Sequence, residues 1–556
     1  MSPIVALGMT RSKRVRCTKV TKEVLSFGDF SVSQNAITSV NPRLRRGQEV
    51  LKLVLLSTQE VEISFFQTGR IFMLHRALLI GLVGWALVSG ATPAIAQKVK
   101  SVPFSYLPEQ GADRYDMRVP HKTLPLADGT GFVILAHQSA GGYAVERYDA
   151  DLKKQWSTTI PVTTGETLEA FGRGPQQAWV VLHHKDDSGQ NLAVVAVNLQ
   201  SGQRGPTKVV IAAAPRDRRP GVSISPDGTK LLAFRYLTRE QQVKSIAATL
   251  FDQNLGQLQE KAYDFRDQGD FFSPAVHVAN DGTQYVTMIS DGMKKLTVRR
   301  YPAGPSTEIK VLGVPVGGVF GGKAVTVRDA QFTVLNDGSL YAAALCADYQ
   351  TGEYYSLKVV KYDFSGPGDM KFSPEFRFTP TYLAEVGKAS GLDVKRLDDV
   401  YLGELLLTPE KQLVVVAEKH FEEGGSDAPV HARELHMFGY NEFGAPTWHS
   451  IVAKDQVAPA VDGYTGIGFR AAVFGGNVQL LTLENINKKS DLYLRRISAQ
   501  TGVVSPPERL KLNVADDQSL AYVKDFTAWL DEKTLIGVSR PSKKSAALQL
   551  EKIVIK

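Results

Sequence analysis

Cysteine is nearly absent from this sequence, since only Cys17 and Cys346 occur among its 556 residues. Small secreted folds that lack a large core depend on several disulfides, so a fold of that kind is excluded. The chain must be held together by apolar burial instead. Its 43% hydrophobic composition is ordinary for a soluble globular protein and supplies the side chains for such a core.

The chain also lacks the short motifs of several enzyme classes. It has no Gly-x-Ser-x-Gly elbow, no His-Glu-x-x-His, no phosphate loop and no dinucleotide glycine fingerprint. We therefore expect no cofactor and favour a protein that is not an enzyme, with no catalytic residue that can be named. A pair of glycosidase carboxylates on distant segments leaves no motif, so that alternative stays open.

The excess of basic residues is confined to one end of the chain. Residues 1–96 hold 12 Lys and Arg against 5 Asp and Glu, whereas the rest of the chain holds 53 against 52. Because a near-neutral body is a poor electrostatic match for a polyanion, we expect no nucleic-acid partner.

Residues 73–96 have the layout of a secretory signal peptide. Met73 opens a short basic stretch, an apolar run follows over residues 77–88, and residues 94–96 (Ala-Ile-Ala) offer a small-x-small cleavage site. We expect cleavage before Gln97, a secreted or periplasmic protein, and no stable membrane insertion once the signal has been removed.

Residues 1–72 precede that signal, although signal peptides begin at the N-terminus. We expect translation to start at Met73, with residues 1–72 a disordered extension from a gene prediction that begins too early. The alternative is a cytoplasmic tail with residues 77–91 as a signal anchor. That apolar stretch is shorter than the roughly 20 residues that span a bilayer. Residues 97–556 then form the folded domain.

A unit of strands and turns recurs about every 50 to 60 residues along this domain. Each unit has a tight turn between its first and second strands. The turns are Asp128-Gly129, Asp227-Gly228, Asp281-Gly282 and Asp337-Gly338, with weaker versions at Gly174-Pro175, Pro409-Glu410, Gly475-Gly476 and Asp531-Glu532. A strand repeat of this length predicts an all-β protein with a β-propeller fold, which is a closed ring of small sheets.

The pattern predicts eight four-stranded blades, with seven as the alternative because the turn in the second blade is weak. The last unit has only three strands, and a spare strand over residues 102–107 would complete it and close the ring. The expected blades cover residues 117–160, 166–212, 220–265, 273–312, 328–379, 398–453, 467–513 and 521–556.

The stretch from Ser225 to Phe234 contains the turn Ser-Pro-Asp-Gly followed by an apolar strand. It resembles the WD40-like, TolB-type propeller repeats, and the Asn-Asp-Gly turns at residues 280–282 and 336–338 are similar to it. The resemblance is specific in one blade only. It implies a fold and not an activity, because the family contains both scaffold proteins and domains attached to enzymes.

The connections on one side of the ring are expected to be long, both between second and third strands and between blades. They are residues 183–191, 238–244, 347–353, 420–431 and 484–490, and residues 212–222, 264–273, 313–326, 379–398 and 455–466. Long loops on a rigid scaffold usually carry function, so we expect this loop-rich face to bind the ligand. Tolerated surface insertions are the alternative. A short helix over residues 381–390, ended by Gly391, would cover part of the face.

Candidate ligand-binding residues lie in these connections. Three arginines crowd one connection, where they would bind a carboxylate or sulfate. Two aspartates and a phenylalanine occupy the next connection, and carboxylates beside aromatic rings suit a glycan or peptide. Ion pairing between the two neighbouring loops is the alternative. The candidates, with two loop tyrosines, are Arg216, Arg218, Arg219, Asp267, Asp270, Phe271, Tyr349 and Tyr464.

A weak metal candidate lies in the sixth blade. His420 and His431 flank its long loop, so they could approach each other across the hairpin, with Glu422 as a carboxylate ligand. The spacing matches no established template. We therefore favour a solvated polar loop and expect no metal.

Three functions follow from these observations. The favoured one is an exported, non-catalytic and monomeric propeller that binds a protein, peptide or glycan through its loop-rich face. The second is an extracytoplasmic hydrolase or lyase that acts on a polysaccharide. The third is a signal-anchored membrane assembly subunit, which requires residues 1–96 to be retained.

Overall fold

The computed structural model describes residues 98–108, 119–138, 141–239, 242–266, 271–304, 308–364, 370–372, 374–425, 427–517, 520–542 and 547–555. The expected upstream extension (residues 1–72) and signal peptide (residues 73–96) lie outside the described residues.

Eight antiparallel sheets follow one another along the chain. In most of them the strands are paired in the order in which they occur, as in the blades of a propeller. Blades 1 to 4 consist of β2 (Thr123–Pro125), β3 (Gly131–Gln138), β4 (Gly142–Asp149) and β5 (Lys154–Pro161); β6 (Glu166–Arg173), β7 (Gln177–Lys185), β8 (Gln190–Asn198) and β9 (Lys208–Ala213); β10 (Gly221–Ile224), β11 (Lys230–Arg239), β12 (Gln242–Asp252) and β13 (Gln257–Asp264); and β14 (Phe271–Val278), β15 (Gln284–Ser290), β16 (Lys295–Tyr301) and β17 (Lys310–Pro315).

Blades 5 and 6 carry extra strands, and the first strand of the chain belongs to blade 8. Blades 5 to 8 consist of β18 (Gly318–Phe320), β19 (Lys323–Val334), β20 (Leu340–Asp348), β21 (Tyr354–Tyr362), β22 (Met370–Phe372) and β23 (Phe376–Arg377); β24 (Val400–Leu407), β25 (Leu413–Glu422), β26 (Val430–Tyr440), β27 (Pro446–Val452) and β28 (Gln456–Ala458); β29 (Arg470–Phe474), β30 (Asn477–Ile486), β31 (Lys489–Ser498) and β32 (Glu508–Arg509); and β33 (Ala528–Asp531), β34 (Thr534–Ser539), β35 (Gln549–Val554) and β1 (Val99–Pro103).

Pairing between the two ends of the described chain closes the ring. Strand β1 lies antiparallel to β35, with Val99 opposite Ile553 and Pro103 opposite Gln549. This confirms eight blades and the predicted closure by an N-terminal strand. The closing strand covers Val99–Pro103, so it begins and ends earlier than the expected residues 102–107. The Phe104 N–H still donates to the Leu548 carbonyl, and the Leu107 N–H donates to the His137 carbonyl of blade 1. Strand β1 is the outermost strand of blade 8, so the edge of β35 that would otherwise be unpaired is covered, which removes a site of edge-to-edge aggregation.

The hydrophobic core is divided among the gaps between blades. One buried cluster fills the space between each neighbouring pair of sheets all the way round the ring. Between blades 1 and 2, for example, Val133 and Leu135 pack with Val180 and Leu182. Alternate side chains of each strand therefore serve opposite neighbours, which explains why the inner strands are apolar almost throughout.

The Asp-Gly pair recurs because, in each of these turns, the aspartate side chain accepts a hydrogen bond from a backbone N–H two residues later. The Asp227 carboxylate accepts hydrogen bonds from the Thr229 N–H at 2.9 Å and the Ser225 hydroxyl at 2.7 Å. The Gly228 N–H donates to the Ser225 carbonyl at 2.8 Å. The same bond from carboxylate to backbone recurs at Asp128, Asp281 and Asp337.

A tryptophan contact links two pairs of blades in the same way. The Trp156 ring of blade 1 packs on Gly202 in blade 2, and its indole N–H donates to the Leu199 carbonyl at 3.3 Å. Trp448 of blade 6 packs on Gly502 in blade 7 in the equivalent arrangement. A Cβ at position 202 would lie 2.7 Å from the indole, and φ is +73°, so only glycine fits there.

The expected loop lengths are partly wrong. The strands extend through most of residues 183–191, 238–244 and 484–490, and β17 and β18 occupy much of residues 313–326. Residues 349–353 form a short turn between β20 and β21. Long connections do occur after blades 5, 6 and 7, over residues 378–399, 453–469 and 510–527. The long connections are therefore concentrated on the half of the ring that contains blades 5 to 8.

The predicted short helix is confirmed as α1 (Pro380–Ser390). The Thr379 hydroxyl caps its N-terminus by accepting a hydrogen bond from the Tyr382 N–H, and Gly391 ends it in a left-handed conformation. The helix packs against β27 on the outer edge of blade 6. None of the helices in the described ranges is long and apolar enough to cross a membrane.

Candidate functional site

Extra structure gathers where the inner strand of blade 6 begins. The β25–β26 hairpin continues beyond the first residue of β24, since Val400 pairs with Lys419 while β25 runs on to Glu422. Strand β28 adds a third strand beside the first residues of β26, since Val430 pairs with Ala458. A small separate core of Val430, Ala432, Ala458, Tyr464 and Ile467 supports this extension. The base of the extension is therefore packed, whereas residues 422–425 and 427 at its tip are exposed, as expected for a solvated polar loop.

An aromatic shelf lies at the base of this extension and consists of Tyr401, His420 and Tyr464. The Tyr401 and His420 rings are stacked, with centroids 4.4 Å apart and planes 13° apart. Tyr464 tilts against His420 at 5.0 Å and is 8% exposed, whereas Tyr401 and His420 are half-buried. The Tyr401 and His420 rings therefore cover one face of each other, and part of each half-buried ring remains exposed.

Lys454 and Glu418 form a buried ion pair next to the aromatic shelf. The Lys454 ammonium is fully buried and lies 2.8 Å from Glu418 Oε1, and it donates to the Gln456 side-chain oxygen at 2.6 Å. Burial alone would raise the pKa of Glu418, but the charges of Lys454 and His420 lower it to about 2. Glu418 is therefore ionised at neutral pH. Its other oxygen lies 3.8 Å from His420 Nδ1, which orients the shelf imidazole.

Gly468 makes room for these charges. A Cβ at this position would lie 2.8 Å from the Lys524 ammonium and 3.4 Å from Glu418 Oε2, and φ is +100°. The Gly468 N–H also donates to the Gln456 oxygen at 2.9 Å. The close approach shows that Lys524 and Glu418 belong to one charged cluster.

Charged side chains from successive blades line the wall of the channel. Asp329 of blade 5 accepts a hydrogen bond from the Leu402 N–H of blade 6 at 2.8 Å. Arg470 of blade 7 pairs with Asp525, just before the inner strand of blade 8, at 3.2 Å. The Asp525 carbonyl in turn accepts from the Lys122 N–H of blade 1 at 2.8 Å. These bonds tie blade 5 to blade 6, blade 7 to blade 8, and blade 8 to blade 1.

Glu404 differs from its neighbours in this wall. It lies on the inner strand β24 and is 8% exposed, and none of the hydrogen bonds or ion pairs among the described residues involves its carboxyl group. Burial raises its pKa to about 7, although the positive charges of Arg470 and Lys524 act in the opposite direction. A carboxyl group that is half-protonated at neutral pH can both donate and accept hydrogen bonds.

The three predicted arginines lie in blades 2 and 3, across the ring from the shelf. Arg219 Nε donates to Glu169 on the inner strand of blade 2 at 2.8 Å. Arg218 lies over the ring of Tyr236, 4.2 Å from its centroid, and Arg216 is exposed. Two of the arginines are thus engaged in contacts within the ring.

The other predicted residues have separate positions. Asp267 and Asp270 lie outside the described residues, as does the side chain of Phe271, whose backbone opens β14. Tyr349 is 66% exposed in the turn between β20 and β21. Tyr464 is buried and belongs to the shelf. The structure therefore joins Tyr464 to His420 and does not bring it to the arginines.

The expectation that His420 and His431 approach each other is wrong. His420 lies opposite Ala432 in the ladder, and His431 lies opposite Phe421, so the two imidazoles occupy opposite faces of the hairpin. His431 stacks on Phe421 at 4.8 Å. Glu422 lies opposite Val430. Within the described ranges, no group of three His, Cys, Asp or Glu side chains could hold a metal ion.

The sequence did not point to the residues that make up the buried cluster. Glu404, Glu418, Lys454 and Arg470 are single charges in or beside apolar strands. One signal was present in the sequence: Glu404 interrupts the otherwise apolar run that forms β24.

These features define the chain as a closed eight-bladed β-propeller with a charged channel wall and an aromatic shelf at one mouth. No protein-family model matches the chain, and no curated protein sequence does. Solved structures that it resembles include the WD40 domain of SCAP from fission yeast, at 8% identity and a TM-score of 0.40, covering 82% of this chain and 98% of that one.

Two further structures illustrate the range of proteins with this architecture. The Nup133 β-propeller domain of Vanderwaltozyma polyspora has 10% identity and a TM-score of 0.40, with 76% of this chain and 99% of that one covered. The polysaccharide lyase Uly1 has 12% identity and a TM-score of 0.40, with 70% and 89% covered. The predicted propeller fold is confirmed by the order and pairing of the strands. Likeness of this degree says nothing about what the chain binds.

Proposed function

We propose that this chain is an exported, monomeric propeller without catalytic activity that binds a protein, peptide or glycan through its loop-rich face. One observation carries the proposal. The extra strands and long connections of the described residues concentrate on blades 5 to 8, and the aromatic shelf and the charged cluster lie in that same half. Binding residues are commonly found on extra strands and loops that a rigid scaffold holds in place.

The pairing of charges at the mouth supports a binding role. Glu418 is held by Lys454 and Asp525 by Arg470, so these groups fix the shape of the mouth and stay neutralised within the protein. The half-buried faces of Tyr401 and His420 then supply the contact surface. Aromatic residues on a rigid support bind ligands with little loss of side-chain entropy.

The binding role is tested by capture from an envelope extract on the purified, immobilised protein, followed by titration of the captured ligand. Tyr401→Ala and His420→Ala are expected to weaken binding at least about 10-fold, as for a central aromatic contact. Phe443→Ala is the matched control, because Phe443 is a 63% exposed aromatic residue in a turn on the opposite face of blade 6. Equal loss in all three variants, or loss in the control alone, would contradict the proposal.

Export is proposed from the signal-like residues 73–96, and secretion or a periplasmic location follows from it. N-terminal sequencing of the protein from the producing cells is expected to begin at Gln97. A membrane fraction that retains residues 1–96 would favour the signal-anchored assembly subunit instead. Light scattering of the purified protein is expected to give the mass of one chain.

A polysaccharide hydrolase or lyase is the second candidate, and Glu404 is the observation that favours it. A buried carboxyl group with a pKa of about 7 is suited to transfer a proton at neutral pH. The test is incubation with polysaccharides and analysis for new reducing ends or unsaturated products. Products that Glu404→Gln abolishes would establish this candidate, and their absence over the whole panel would exclude it.

A further inference from the structure

An open groove of about 340 Å³ lies where the outer part of blade 5 meets helix α1 and blade 6. Residues of β23, α1 and β27 line it together, and these include Phe376, Arg377, Thr381, Tyr382, Glu385 and His449. Binding pockets usually measure about 300–1,000 Å³, so this groove is at the lower end of that range. It suits a small ligand or a single large side chain of a bigger one.

Three aromatic rings form the floor of the groove and hold one another in place. The Phe376 ring lies 5.2 Å from the Tyr382 ring and 5.1 Å from the His449 imidazole, with interplanar angles of 78° and 58°. Phe438 packs on Phe376 at 4.9 Å, and the Tyr382 hydroxyl is hydrogen-bonded to His436 Nδ1 at 2.7 Å. Because these contacts fix the rings before any ligand arrives, little ordering is needed on binding. A further aromatic ring would gain edge-to-face contacts on this floor.

The charges beside the groove are balanced within the protein. Arg377 Nε donates to Glu375 Oε1 at 2.5 Å, and the Lys358 ammonium lies 3.3 Å from the other oxygen of Glu375. Glu385 Oε2 lies 2.7 Å from His449 Nε2. An anionic or a cationic ligand would have to compete with these pairs for its contacts. The groove therefore favours an uncharged group.

Strand β23 offers a backbone edge at the same place. Among the described strands it pairs with β21, where Phe376 lies opposite Leu357 and the Phe378 N–H donates to the Tyr355 carbonyl at 3.0 Å. Backbone groups of alternate residues point to opposite edges of a strand, so the N–H of Arg377 points away from β21. Extended peptides bind to such edges through main-chain hydrogen bonds and place their side chains in adjoining pockets.

We propose that this groove binds an extended segment of a partner protein, with an aromatic side chain of the segment packed on the floor of Phe376, Tyr382 and His449. A peptide meets all three observations, because its aromatic ring fits the floor, carries no charge, and is attached to a main chain that can accept from the Arg377 N–H. A free sugar ring would use the floor, but it has no main chain to pair with the strand edge.

The groove is a different site from the one under the proposed function. None of the residues that line it belongs to the shelf of Tyr401, His420 and Tyr464. The inference therefore goes beyond the proposed function, and each can fail without the other.

The experiment selects random dodecapeptides displayed on phage against the full purified, immobilised protein. The selected peptides are expected to share a Phe, Tyr or Trp at one position. Fluorescence polarisation with labelled synthetic copies then measures affinity. Replacing the shared aromatic residue of the peptide by alanine is expected to weaken binding about 10-fold or more, as for a side chain that fills a pocket at the centre of an interface.

Thr381→Trp is the test variant on the protein, because Thr381 is exposed on α1 and lines the groove, so a larger side chain there would fill it. It is expected to weaken the selected peptides about 10-fold or more. Lys388→Trp is the matched control, since Lys388 is exposed on the same helix outside the groove, and it should bind as the wild type does. Thermal melting checks folding. His449→Ala, which removes one half-buried ring of the floor, repeats the test should Thr381→Trp fail to fold.

The inference is overturned if the selection yields no peptides with a shared aromatic residue, or if Thr381→Trp and His449→Ala bind them as the wild type does. An equal loss in Lys388→Trp would also overturn it, because the effect would not come from the groove. Peptides that depend on Tyr401 or His420 and not on Thr381 would support the proposed function and contradict this inference. Peptides that depend on Thr381, found together with ligand capture that Tyr401→Ala and His420→Ala leave unchanged, would support the groove and contradict the proposed function.

Discussion

The stability of this propeller should fall as pH rises through neutrality, and Glu404 should account for much of the fall. Its pKa is about 7 in the folded protein against an ordinary value of 4.5, because burial disfavours the charged form. Between these values the folded state keeps a proton that the unfolded state has released. The contribution is fully present below about pH 4.5 and is lost as pH passes 7.

The magnitude follows from the two pKa values. Each pH unit of difference corresponds to about 1.4 kcal/mol, so ionising Glu404 inside the wall costs about 3 kcal/mol. A glutamine stays neutral at every pH. Glu404→Gln should therefore lie within about 1 kcal/mol of the wild type near pH 5 and be more stable by about 3 kcal/mol near pH 8.

Urea unfolding at pH 5 and pH 8, followed by tryptophan fluorescence, measures the difference. Glu551→Gln should show a change in the same direction, since burial raises the pKa of Glu551 to about 7 as well. Glu410→Gln, at an exposed turn of the same blade as Glu404, is expected to behave as the wild type. An unchanged pH dependence in Glu404→Gln would refute the reasoning, because it would mean that Glu404 is solvated or paired in solution.

Three further predictions use the same unfolding assay or a simple reaction. Gly202→Ala should destabilise the protein by about 3 kcal/mol through positive φ and a clash with the indole of the preceding blade, whereas Gly129→Ala, with φ +69° and open space, should lose only about 1 kcal/mol. Lys454→Met should cost about 3 kcal/mol by leaving Glu418 buried without its partner, and adding Glu418→Leu should restore most of that loss. Cys346 should not react with a thiol reagent at pH 8 until the protein is unfolded, because burial raises its pKa to about 12.

Local signals in the sequence were sufficient to predict the fold. Each Asp-Gly turn is closed by its own side chain, as at Asp227, so its meaning does not depend on the rest of the chain. The apolar strands are buried on both faces between blades, and their runs mark them clearly. Ring closure could be predicted as well, because a three-stranded end at one terminus and a spare strand at the other have one natural solution.

The site could not be predicted in the same way because it depends on contacts between blades. Glu418 and Lys454 are 36 residues apart in the sequence, and Arg470 and Asp525 are 55 residues apart. The His420–His431 hypothesis was wrong for a related reason. Which face of the hairpin a side chain occupies depends on the register, and a shift between Glu418 and His420 alters that register.

The buried charges of blades 5 to 8 are expected to make the protein less stable than apolar residues would at the same positions. Replacing a buried ion pair with apolar residues is often neutral or stabilising, and an unpaired buried acid is worse. The cost of about 3 kcal/mol assigned to ionised Glu404 is a large part of a typical net stability of about 5–15 kcal/mol. The ring tolerates it because an apolar cluster fills the gap between each pair of neighbouring blades, including those that flank β24. The same register shift is followed by Asp329 in blade 5, Glu404 in blade 6 and Ala170 in blade 2, so this position of the blade accepts a buried acid without requiring one.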